Sequence, residues 1–382
     1  MKIEWPSKRL RDICEIIMGQ SPDGVSYNTT GAGVPLINGP VEFSDDSFGK
    51  TVRAKFTTQP TKYCKEGDLI LCIRGSTTGR MNIAGFDACI GRGVAAIRAK
   101  QYQPWINYYI SSIREEIYLK GTGATFPNVS GATLGDFRLV VPPLPEQRRI
   151  VGILDEAFDG IATAKANAEK NLQNTRAIFE SHLQSVFTQR GPGWVEKKLG
   201  EVCDFEGGSQ PPKSQFLHKP KAGYVRFLQI RDFGSDKHIT YIPESKKNRL
   251  CREGDIMIGR YGASVGKILT GLAGAYNVAL IKTLPDTKVI SRDFFHHYLI
   301  SNSFQMRLFN VADRSAQNGF SKDDIYDFPV PVPALGEQQD IVGRLRPLRA
   351  EIQRLASLYE RKLALFDALK KSLLYQAFSG RL

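Results

Sequence analysis

Residues 136–154, DFRLVVPPLPEQRRIVGIL, and residues 327–345, DFPVPVPALGEQQDIVGRL, are two versions of one stretch of sequence. Each begins with an extended apolar run, passes through a proline-rich hinge and then takes up the apolar spacing of a helix. Proline ends the extended run, and Glu146 or Glu337 falls in a first helical turn, where the helix dipole favours negative charge. The stretch therefore predicts a globular module followed by a helix, written twice.

The repeat extends outward from these hinges over the whole chain, with a period of about 190 residues. WPSKRLRDICEIIMGQSP from Trp5 matches WVEKKLGEVCDFEGGSQPP from Trp194. YCKEGDLILCIRGSTTGR from Tyr63 matches LCREGDIMIGRYGASVGK from Leu250. Short β-rich runs between glycines and prolines indicate that each module is a compact α/β (α+β) domain.

Both predicted helices carry an apolar stripe with the alternating spacing of a coiled coil. The central stripe contains Ile150, Leu154, Ala157, Ile161, Ala164, Ala168, Thr175, Ile178 and Phe179. The distal stripe contains Ile341, Leu345, Leu348, Ile352, Leu355, Tyr359, Phe366, Leu369 and Leu373, and Lys362 interrupts it. Because the second module lies between the helices in the chain, we expect the two stripes to pair as an antiparallel coiled coil.

The predicted organisation has four segments. They are a first module at 1–144, a central helix at 145–190, a second module at 191–334 and a distal helix at 335–382. Two similar modules on a two-helix spacer predict a dumbbell with a pseudo-two-fold axis.

The chain is basic, with 52 Lys and Arg against 39 Asp and Glu among its 382 residues, a formal charge of +13. This charge favours a polyanionic partner. The alternative is that the basic charge only keeps the protein soluble. No apolar run approaches the length of a membrane span, and the N-terminus lacks the apolar region of a secretory signal. We therefore expect a cytoplasmic protein that binds nucleic acid and no membrane.

The six cysteines include no C-x-x-C pair and stand among apolar neighbours, which favours reduced core residues over metal ligands. We expect no metal and no cofactor.

The order of module, P-L-P-E-Q-R-R-I-V hinge and long helix, all repeated, resembles the specificity subunit of type I restriction-modification systems. The resemblance covers essentially the whole chain, and the two hinges are its most specific part. It implies a non-catalytic subunit whose two target recognition domains each read one half of a bipartite, asymmetric site in double-stranded DNA. It also implies that the helices dock two adenine-methylating modification subunits and that restriction subunits can join. Two modules on a rigid spacer suit two half-sites, and their different sequences predict different half-sites.

Two glycine-containing loops, RGSTTGR at 74–80 and RYGASVGK at 260–267, are the first candidates for DNA contact. Glycine lets a backbone approach closely, and a terminal cation can reach phosphate or guanine. A hairpin turn with a solvated cation is the alternative. The candidates in these loops are Arg74, Ser76, Thr77, Thr78, Arg80, Arg260, Tyr261, Ser264 and Lys267.

Amide side chains are the second candidates, because Asn and Gln can read adenine with two hydrogen bonds. Most such amides in proteins bond instead to backbone or water. The candidates are Gln20, Asn38, Asn128, Gln210, Gln229, Gln317 and Asn318.

The hinges are the candidate partner-binding segments, through Glu146, Gln147 and Arg148 and through Glu337, Gln338 and Gln339. The middles of the helices differ, since Asn167, Ala168 and Asn171 correspond to Leu358, Tyr359 and Lys362. This difference argues against identical docking of two modification subunits.

Other classes of function are less well supported. A coiled-coil scaffold without DNA specificity is the main alternative. GASVGK lacks the spacing and the hydroxyl of a phosphate-binding loop, and no N-P-P-[FY]-like segment of an adenine methyltransferase is present. Asp232, Glu244 and Lys246 could suggest a nuclease metal site, but Val41 stands opposite Asp232 in the first copy. Adjacent His296 and His297 form no zinc motif.

Overall fold

The computed structural model describes residues 5–123, 126–314 and 318–382. They form two compact units. The first contains the described residues up to 168 together with 361–382, and the second contains 169–360. Each unit combines one α/β module with parts of both long helices, so the predicted fold class is confirmed. The dumbbell shape and the four segment boundaries stay predictions.

The module of the first unit is built from short strands and helices. Its strands are β1 (Ser7–Arg9), β2 (Cys14–Met18), β3 (Tyr27–Asn28), β4 (Val34–Ile37), β5 (Phe56–Thr57), β6 (Tyr63–Cys64), β7 (Leu69–Cys72), β8 (Met81–Ile83), β9 (Ala88–Ile90), β10 (Val94–Ala99) and β11 (Arg138–Val140). Its helices are α1 (Leu10–Ile13), α2 (Gln103–Ser112), α3 (Arg114–Leu119) and α4 (Gly131–Gly135), and they precede the long helix α5 (Leu144–Thr188).

The module of the second unit repeats this order, except that β3 has no counterpart strand. Its strands are β12 (Val195–Lys198), β13 (Cys203–Gly207), β14 (Tyr224–Leu228), β15 (Thr240–Pro243), β16 (Leu250–Cys251), β17 (Met257–Gly259), β18 (Ile268–Leu269), β19 (Gly274–Tyr276), β20 (Leu280–Pro285) and β21 (Pro329–Val332). Its helices are α6 (Leu199–Val202), α7 (Arg292–Ile300), α8 (Asn302–Ala312) and α9 (Lys322–Ile325), and they precede the long helix α10 (Leu335–Phe378).

The sheets of the two modules share their topology. An antiparallel sheet has the order β2-β10-β7-β8 in the first module and β13-β20-β17-β18 in the second. A second sheet contains one parallel pair in each module, β4 with β9 and β14 with β19. A two-stranded ribbon joins the first strand of each module to its last, β1 to β11 and β12 to β21. The sequence repeat is therefore a structural repeat.

The Glu-Gly-Asp motif kept in both copies forms a turn before the central strand. Asp68 accepts a hydrogen bond from the backbone N–H of Lys65 at 2.8 Å, and Asp255 accepts one from Arg252 at 2.9 Å. Asp68 is also bonded by the Arg98 guanidinium through two nitrogens. The motif therefore stabilises the same turn in both copies.

Each module packs its core against the two long helices. In the first unit Ile150 and Leu154 of α5 share a buried cluster with Leu374 and Ala377 of α10. In the second unit Leu183 and Phe187 of α5 share one with Ile341 and Leu345 of α10. The N-terminal part of α5 thus packs beside the C-terminal part of α10, and the C-terminal part of α5 beside the N-terminal part of α10. The helices therefore run antiparallel in both units, as predicted.

The seam of the coiled coil differs from the predicted stripe at two positions. Ile178 is 56% exposed and Leu369 is 45% exposed. Beyond Tyr359 the less exposed positions are Leu363, Phe366 and Lys370, whereas Lys362 is exposed. Two consecutive spacings of four, from Leu355 to Tyr359 and on to Leu363, rotate the stripe about the helix. The strict heptad pattern was therefore wrong at these residues.

The six cysteines are buried and unpaired, which confirms that they are core residues. Burial raises the pKa of Cys72 to about 11. Among the described helices, none has the length and apolarity needed to cross a membrane.

Candidate nucleic-acid interface

Loop 74–80 connects β7 to β8 and is closed by backbone hydrogen bonds at its base. The Cys72 N–H donates to the Arg80 carbonyl at 2.7 Å, and the Gly79 N–H donates to the Cys72 carbonyl at 2.9 Å. Gly75 and Gly79 have φ values of 83° and 86°, a region that only glycine adopts readily. The sequence folds here into a tight turn whose tip is free of regular structure.

Loop 260–267 connects β17 to β18 in the same way. The Gly259 N–H donates to the Lys267 carbonyl at 2.9 Å, and the Gly266 N–H donates to the Gly259 carbonyl at 3.0 Å. Gly262 and Gly266 have φ values of 56° and 79°. The two loops therefore share one backbone design.

The segment before the last strand of each module lies against its loop. Gly75 N–H donates to the Pro127 carbonyl at 3.2 Å, and Arg74 forms a β-bridge with Asn128. In the second module Gly262 N–H donates to the Asn318 carbonyl at 2.8 Å, and Tyr261 forms a β-bridge with Gly319. The structure thus brings together, in both copies, two segments that are far apart in sequence.

A third segment completes each surface. Ile73 N–H donates to the Gly93 carbonyl, and Gly91 N–H donates to the Ile37 carbonyl next to Asn38. A Cβ at Gly91 would collide with the Asn38 side chain, so glycine there makes room for the amide. Gln20 joins this segment because its N–H donates to the Ile90 carbonyl.

The second module repeats this arrangement with other side chains. Asn277 N–H donates to the Leu228 carbonyl next to Gln229, which confirms that Gln229 corresponds to Asn38. Ser209 N–H donates to the Tyr276 carbonyl, so Ser209 is the structural counterpart of Gln20 and Gln210 follows it.

We name these surfaces by their residues. The first loop surface consists of loop 74–80, segment 126–130, turn 91–93, Gln20 and Asn38. The second loop surface consists of loop 260–267, segment 318–320, turn 277–279, residues 209–210 and Gln229. Gln317 lies outside the described residues.

The candidates on the first loop surface differ in accessibility. Arg74, Ser76, Asn128 and Gln20 are exposed, and Thr77, Arg80 and Asn38 are partly exposed. Thr78 is 7% exposed, and its hydroxyl donates to the Gly75 carbonyl at 2.8 Å. Thr78 therefore stabilises the loop, whereas the side chains of the exposed residues are free to contact a ligand.

On the second loop surface, Tyr261, Lys267, Gln210 and Asn318 are exposed, and Ser264 is partly exposed. The Arg260 guanidinium donates through Nε to the Phe320 carbonyl at 3.1 Å and lies 5.1 Å from the Tyr261 ring centroid. Arg260 is thus held in place, while the side chain of Lys267 has no ion pair among the described residues.

A cleft of about 630 Å³ opens on the second loop surface. Gln229, Ser264 and Lys267 line it, together with Arg231 and Asn277. Two cations and two amides in one cleft can donate to phosphate oxygens and to the acceptors on base edges.

A buried carboxylate fixes the backbone at Asn38 and at Gln229. Glu42, 1% exposed, accepts hydrogen bonds from the N–H groups of Asn38 and Gly39 at 3.1 Å each. Asp232, 4% exposed, accepts one from Gln229 at 2.6 Å. The sequence repeat pairs Asp232 with Val41, yet the acid that bonds to the backbone in the first copy is Glu42, one residue later. An acidic residue three or four positions after the amide is the signal that could have revealed the pair.

The hinge glutamines are structural in both copies. Gln147, 3% exposed, donates from Nε2 to the Pro142 carbonyl at 2.8 Å. Gln338, 0% exposed, donates to the Pro333 and Val289 carbonyls and accepts from the Ser291 N–H. Gln338 thus holds the start of its helix against its module, whereas Gln147 bonds within its own hinge.

The other hinge residues are more accessible. The Glu146 carboxylate pairs with Arg149 at 2.7 Å, and this hydrogen-bonded pairing lowers the pKa of Glu146. Glu337 accepts from the Trp194 indole N–H at 2.8 Å. Arg148 and Gln339 are exposed. Arg148 and Gln339 are therefore the most accessible of the candidate partner-binding residues at the hinges.

Sites for other chemistry find little support in the described parts of the chain. No group of three or more His, Cys, Asp or Glu side chains there could hold a metal ion. Asp232 is buried, whereas Glu244 and Lys246 are exposed. Burial lowers the pKa of His296 to about 4, and His297 Nδ1 lies 2.7 Å from the Asp293 carbonyl oxygen.

Comparison with known proteins identifies the family. The family model described as the type I restriction modification DNA specificity domain matches residues 2–173 and again 192–359. The chain therefore belongs to this family of DNA specificity proteins, as its duplicated modules and hinges predicted.

Individual relatives agree with the family model. The chain is 33% identical to the MjaX type I restriction enzyme specificity subunit of Methanocaldococcus jannaschii, in a match covering 42% of this chain and 38% of that protein. It is 21% identical to the MjaVIII specificity subunit of the same organism over 99% of this chain and 93% of that protein. It also resembles a chain solved to explain complex assembly and conformational transition of the type I restriction-modification system, with a TM-score of 0.82 and 21% identity over 100% of this chain and 99% of that one. The last likeness establishes a shared fold.

Proposed function

We propose that the chain is the non-catalytic specificity subunit of a type I restriction-modification enzyme in the cytoplasm. In this proposal the first loop surface reads one half of a bipartite, asymmetric DNA site and the second loop surface reads the other half. The chain itself performs no reaction, needs no cofactor and positions modification subunits that methylate adenine.

One observation carries the proposal. The two loop surfaces share their backbone hydrogen bonds but present different side chains. Arg74 and Ser76 stand where the second copy has Tyr261 and Ala263, and Asn38 stands where it has Gln229. Side chains that reach base edges determine which sequence is read, whereas backbone contacts only set position. A shared backbone that presents two different sets of side chains therefore suits two different half-sites.

Partner docking is assigned to the hinges and the adjoining helix surfaces. Arg148 and Gln339 are exposed at equivalent positions of the two copies. Gln338 joins the second hinge to its module through Val289 and Ser291, and Ile150 packs the first helix into the core of its module. A subunit bound at either hinge would therefore be held in register with one half-site. Two modification subunits, one per hinge, are expected, and restriction subunits can add to the complex. Because Asn171 and Lys362 differ at equivalent helix positions, we do not expect the two docking surfaces to be identical.

Selection of bound duplexes from a random-sequence DNA library tests the reading of DNA. The wild-type chain should select a site in two parts of different sequence. The pair Arg74→Ala and Asn128→Ala should relax one part only, and the pair Gln229→Ala and Lys267→Ala should relax only the other. Each lost two-bond base contact reduces discrimination by about 10- to 100-fold. Lys322→Ala, at an exposed lysine outside both surfaces, is the control.

Charge and salt separate this function from a coiled-coil scaffold that binds only protein. DNA affinity should fall steeply between low and moderate salt, and charge reversal by Arg80→Glu and Lys267→Glu should weaken it. Selection of no DNA sequence, or relaxation of both parts by either pair, would contradict the proposal.

Methyl transfer tests the non-catalytic part. Labelled methyl groups should reach adenine in DNA only when modification subunits accompany the chain. Transfer by the isolated chain would show that it is itself a methyltransferase.

A further inference from the structure

The charge of the two modules differs most in one pair of matching stretches of sequence. Residues 210–250 of the second module contain nine Lys and Arg against three Asp and Glu, a net charge of +6. Residues 21–63, the corresponding stretch of the first module, contain four of each and are neutral. Almost half of the +13 of the whole chain therefore lies in one stretch of one module.

Part of this charge lines a second cleft of about 620 Å³ in the second unit. His218, Arg231, Lys237, His238 and Tyr241 line it. Backbone bonds assemble the wall: the Leu217 N–H donates to the Tyr241 carbonyl at 3.0 Å, and the Tyr241 N–H donates back at 2.8 Å. The lining residues thus come from two segments that are joined as a β-bridge.

The one acid in the cleft is already paired. Asp236 accepts from the Arg226 guanidinium at 2.9 Å, which leaves its charge compensated. The side chains of Arg231 and Lys237 are exposed and form no ion pair or hydrogen bond with other described residues. The cleft therefore presents two cationic side chains without a salt bridge among the described residues and several N–H donors, the chemistry that binds a phosphate group.

Arg231 connects this cleft with the second loop surface. It lines both the 620 Å³ cleft and the 630 Å³ cleft that contains Gln229 and Lys267. Buried Asp232, bonded to Gln229 N–H, holds the turn that carries Arg231. The residue before the equivalent acid Glu42 in the first module is Val41, which has no charge.

The geometry points to a phosphodiester site at His218, Arg231, Lys237 and His238, through which the second module grips the DNA backbone beside the bases that it reads. Stretch 21–63 of the first module has no equivalent net charge, so we expect this particular backbone contact in the second module. This inference rests on the proposed DNA-binding function. The continuity of the two clefts through Arg231 favours DNA over an acidic protein surface as the occupant.

Salt dependence of DNA affinity tests the inference in the full chain. The variant with Arg231→Ala and Lys237→Ala is compared with one carrying Lys288→Ala and Lys322→Ala, two exposed lysines of the same unit that line neither cleft. Affinity is measured for a duplex containing the selected site and for a random duplex, between 50 and 300 mM salt, a range in which phosphate contacts dominate the response.

The cleft variant should lose affinity for both duplexes by the same factor, roughly 10-fold or more, and its salt slope should fall by about 2. The control variant should keep the wild-type slope, and the ratio of the two affinities should stay constant. An unchanged slope in the cleft variant overturns the inference while leaving the proposed function intact. Wild-type protein without salt-dependent DNA binding would instead refute the proposed function.

Two further results would identify another ligand. Inorganic phosphate that saturates the cleft at micromolar concentration, without competition from duplex DNA, would assign it to a free anion. An unchanged salt slope with weakened assembly of modification subunits would assign it to an acidic protein surface. Either result overturns the inference.

Discussion

Loops 74–80 and 260–267 keep the same backbone hydrogen bonds, whereas stretches 21–63 and 210–250 beside them differ in charge. The strand pairing of these stretches is matched, since β4 pairs with β5 in the first and β14 pairs with β15 in the second. Two glycines and a closing pair of backbone hydrogen bonds are common to both loops, whereas the exposed side chains at their tips differ. The duplicated scaffold therefore repeats the backbone of the loops, while their side chains and the charge beside them differ.

The hinge glutamines offer the sharpest matched pair, because equal residues carry unequal numbers of bonds. Gln338→Leu removes three hydrogen bonds and leaves buried backbone groups unsatisfied, so we expect the second unit to lose about 3 kcal/mol. Gln147→Leu removes one bond to Pro142 and should cost the first unit about 1 kcal/mol. Denaturant-dependent hydrogen exchange, read separately on peptides of each unit, measures both.

Gln339→Leu, at the exposed neighbour of Gln338, is the control and should leave both units unchanged. Equal losses for Gln147→Leu and Gln338→Leu would show that helix docking at the hinges does not depend on the number of bonds.

The buried carboxylates are a second matched pair, and one of them predicts a pH dependence. Burial raises the pKa of Asp232 in the folded protein above that of an unfolded aspartate. The folded state therefore binds the proton more tightly, and this residue lowers stability as pH rises from about 4 through the folded pKa. Asp232→Asn keeps an acceptor for the Gln229 N–H and removes the charge. The variant should gain stability relative to wild type as pH rises from 4 to 7.

Unfolding midpoints of the second unit at several pH values measure this gain. Asp323→Asn, at an exposed acid of the same unit, should show no such trend. A constant difference between Asp232→Asn and wild type at all pH values would refute the explanation by burial.

The sequence predicted the fold well because its signals are local. The hinge prolines, the glycines at 75, 79, 262 and 266 and the apolar spacing of the helices each act within a few residues. The stripe failed at Leu369 because the two spacings of four around Tyr359 place Leu363 and Lys370 on the less exposed side. It failed at Ile178 because the neighbouring Phe179 packs against the core instead. No single residue marks either change.

The candidate site was only partly predictable. The sequence identified both glycine loops and the segments around residues 128 and 318. That each segment contacts its loop became visible only in the folded structure. Thr78, Gln147 and Gln338 looked available, but burial commits them to internal hydrogen bonds. The sequence did not predict the cleft around His218 and Arg231. Its two walls are joined by the β-bridge between Leu217 and Tyr241, and no local sequence pattern predicts that bridge.

The smallest expected effects come from ion pairs that join α5 to α10, one in each unit. Lys165 pairs with Asp367 at 3.1 Å in the first unit, and Arg176 pairs with Glu360 at 2.9 Å in the second. Double-mutant cycles with alanine should give couplings of about 0.2 to 1 kcal/mol, because both pairs are exposed to solvent. Lys165 is the less exposed cation, at 37% against 59% for Arg176, so the first coupling should be the larger. Both should vanish in about 1 M salt, where charges are screened beyond roughly 3 Å. A coupling that survives high salt would mean that the side chains contribute packing between the helices as well as charge.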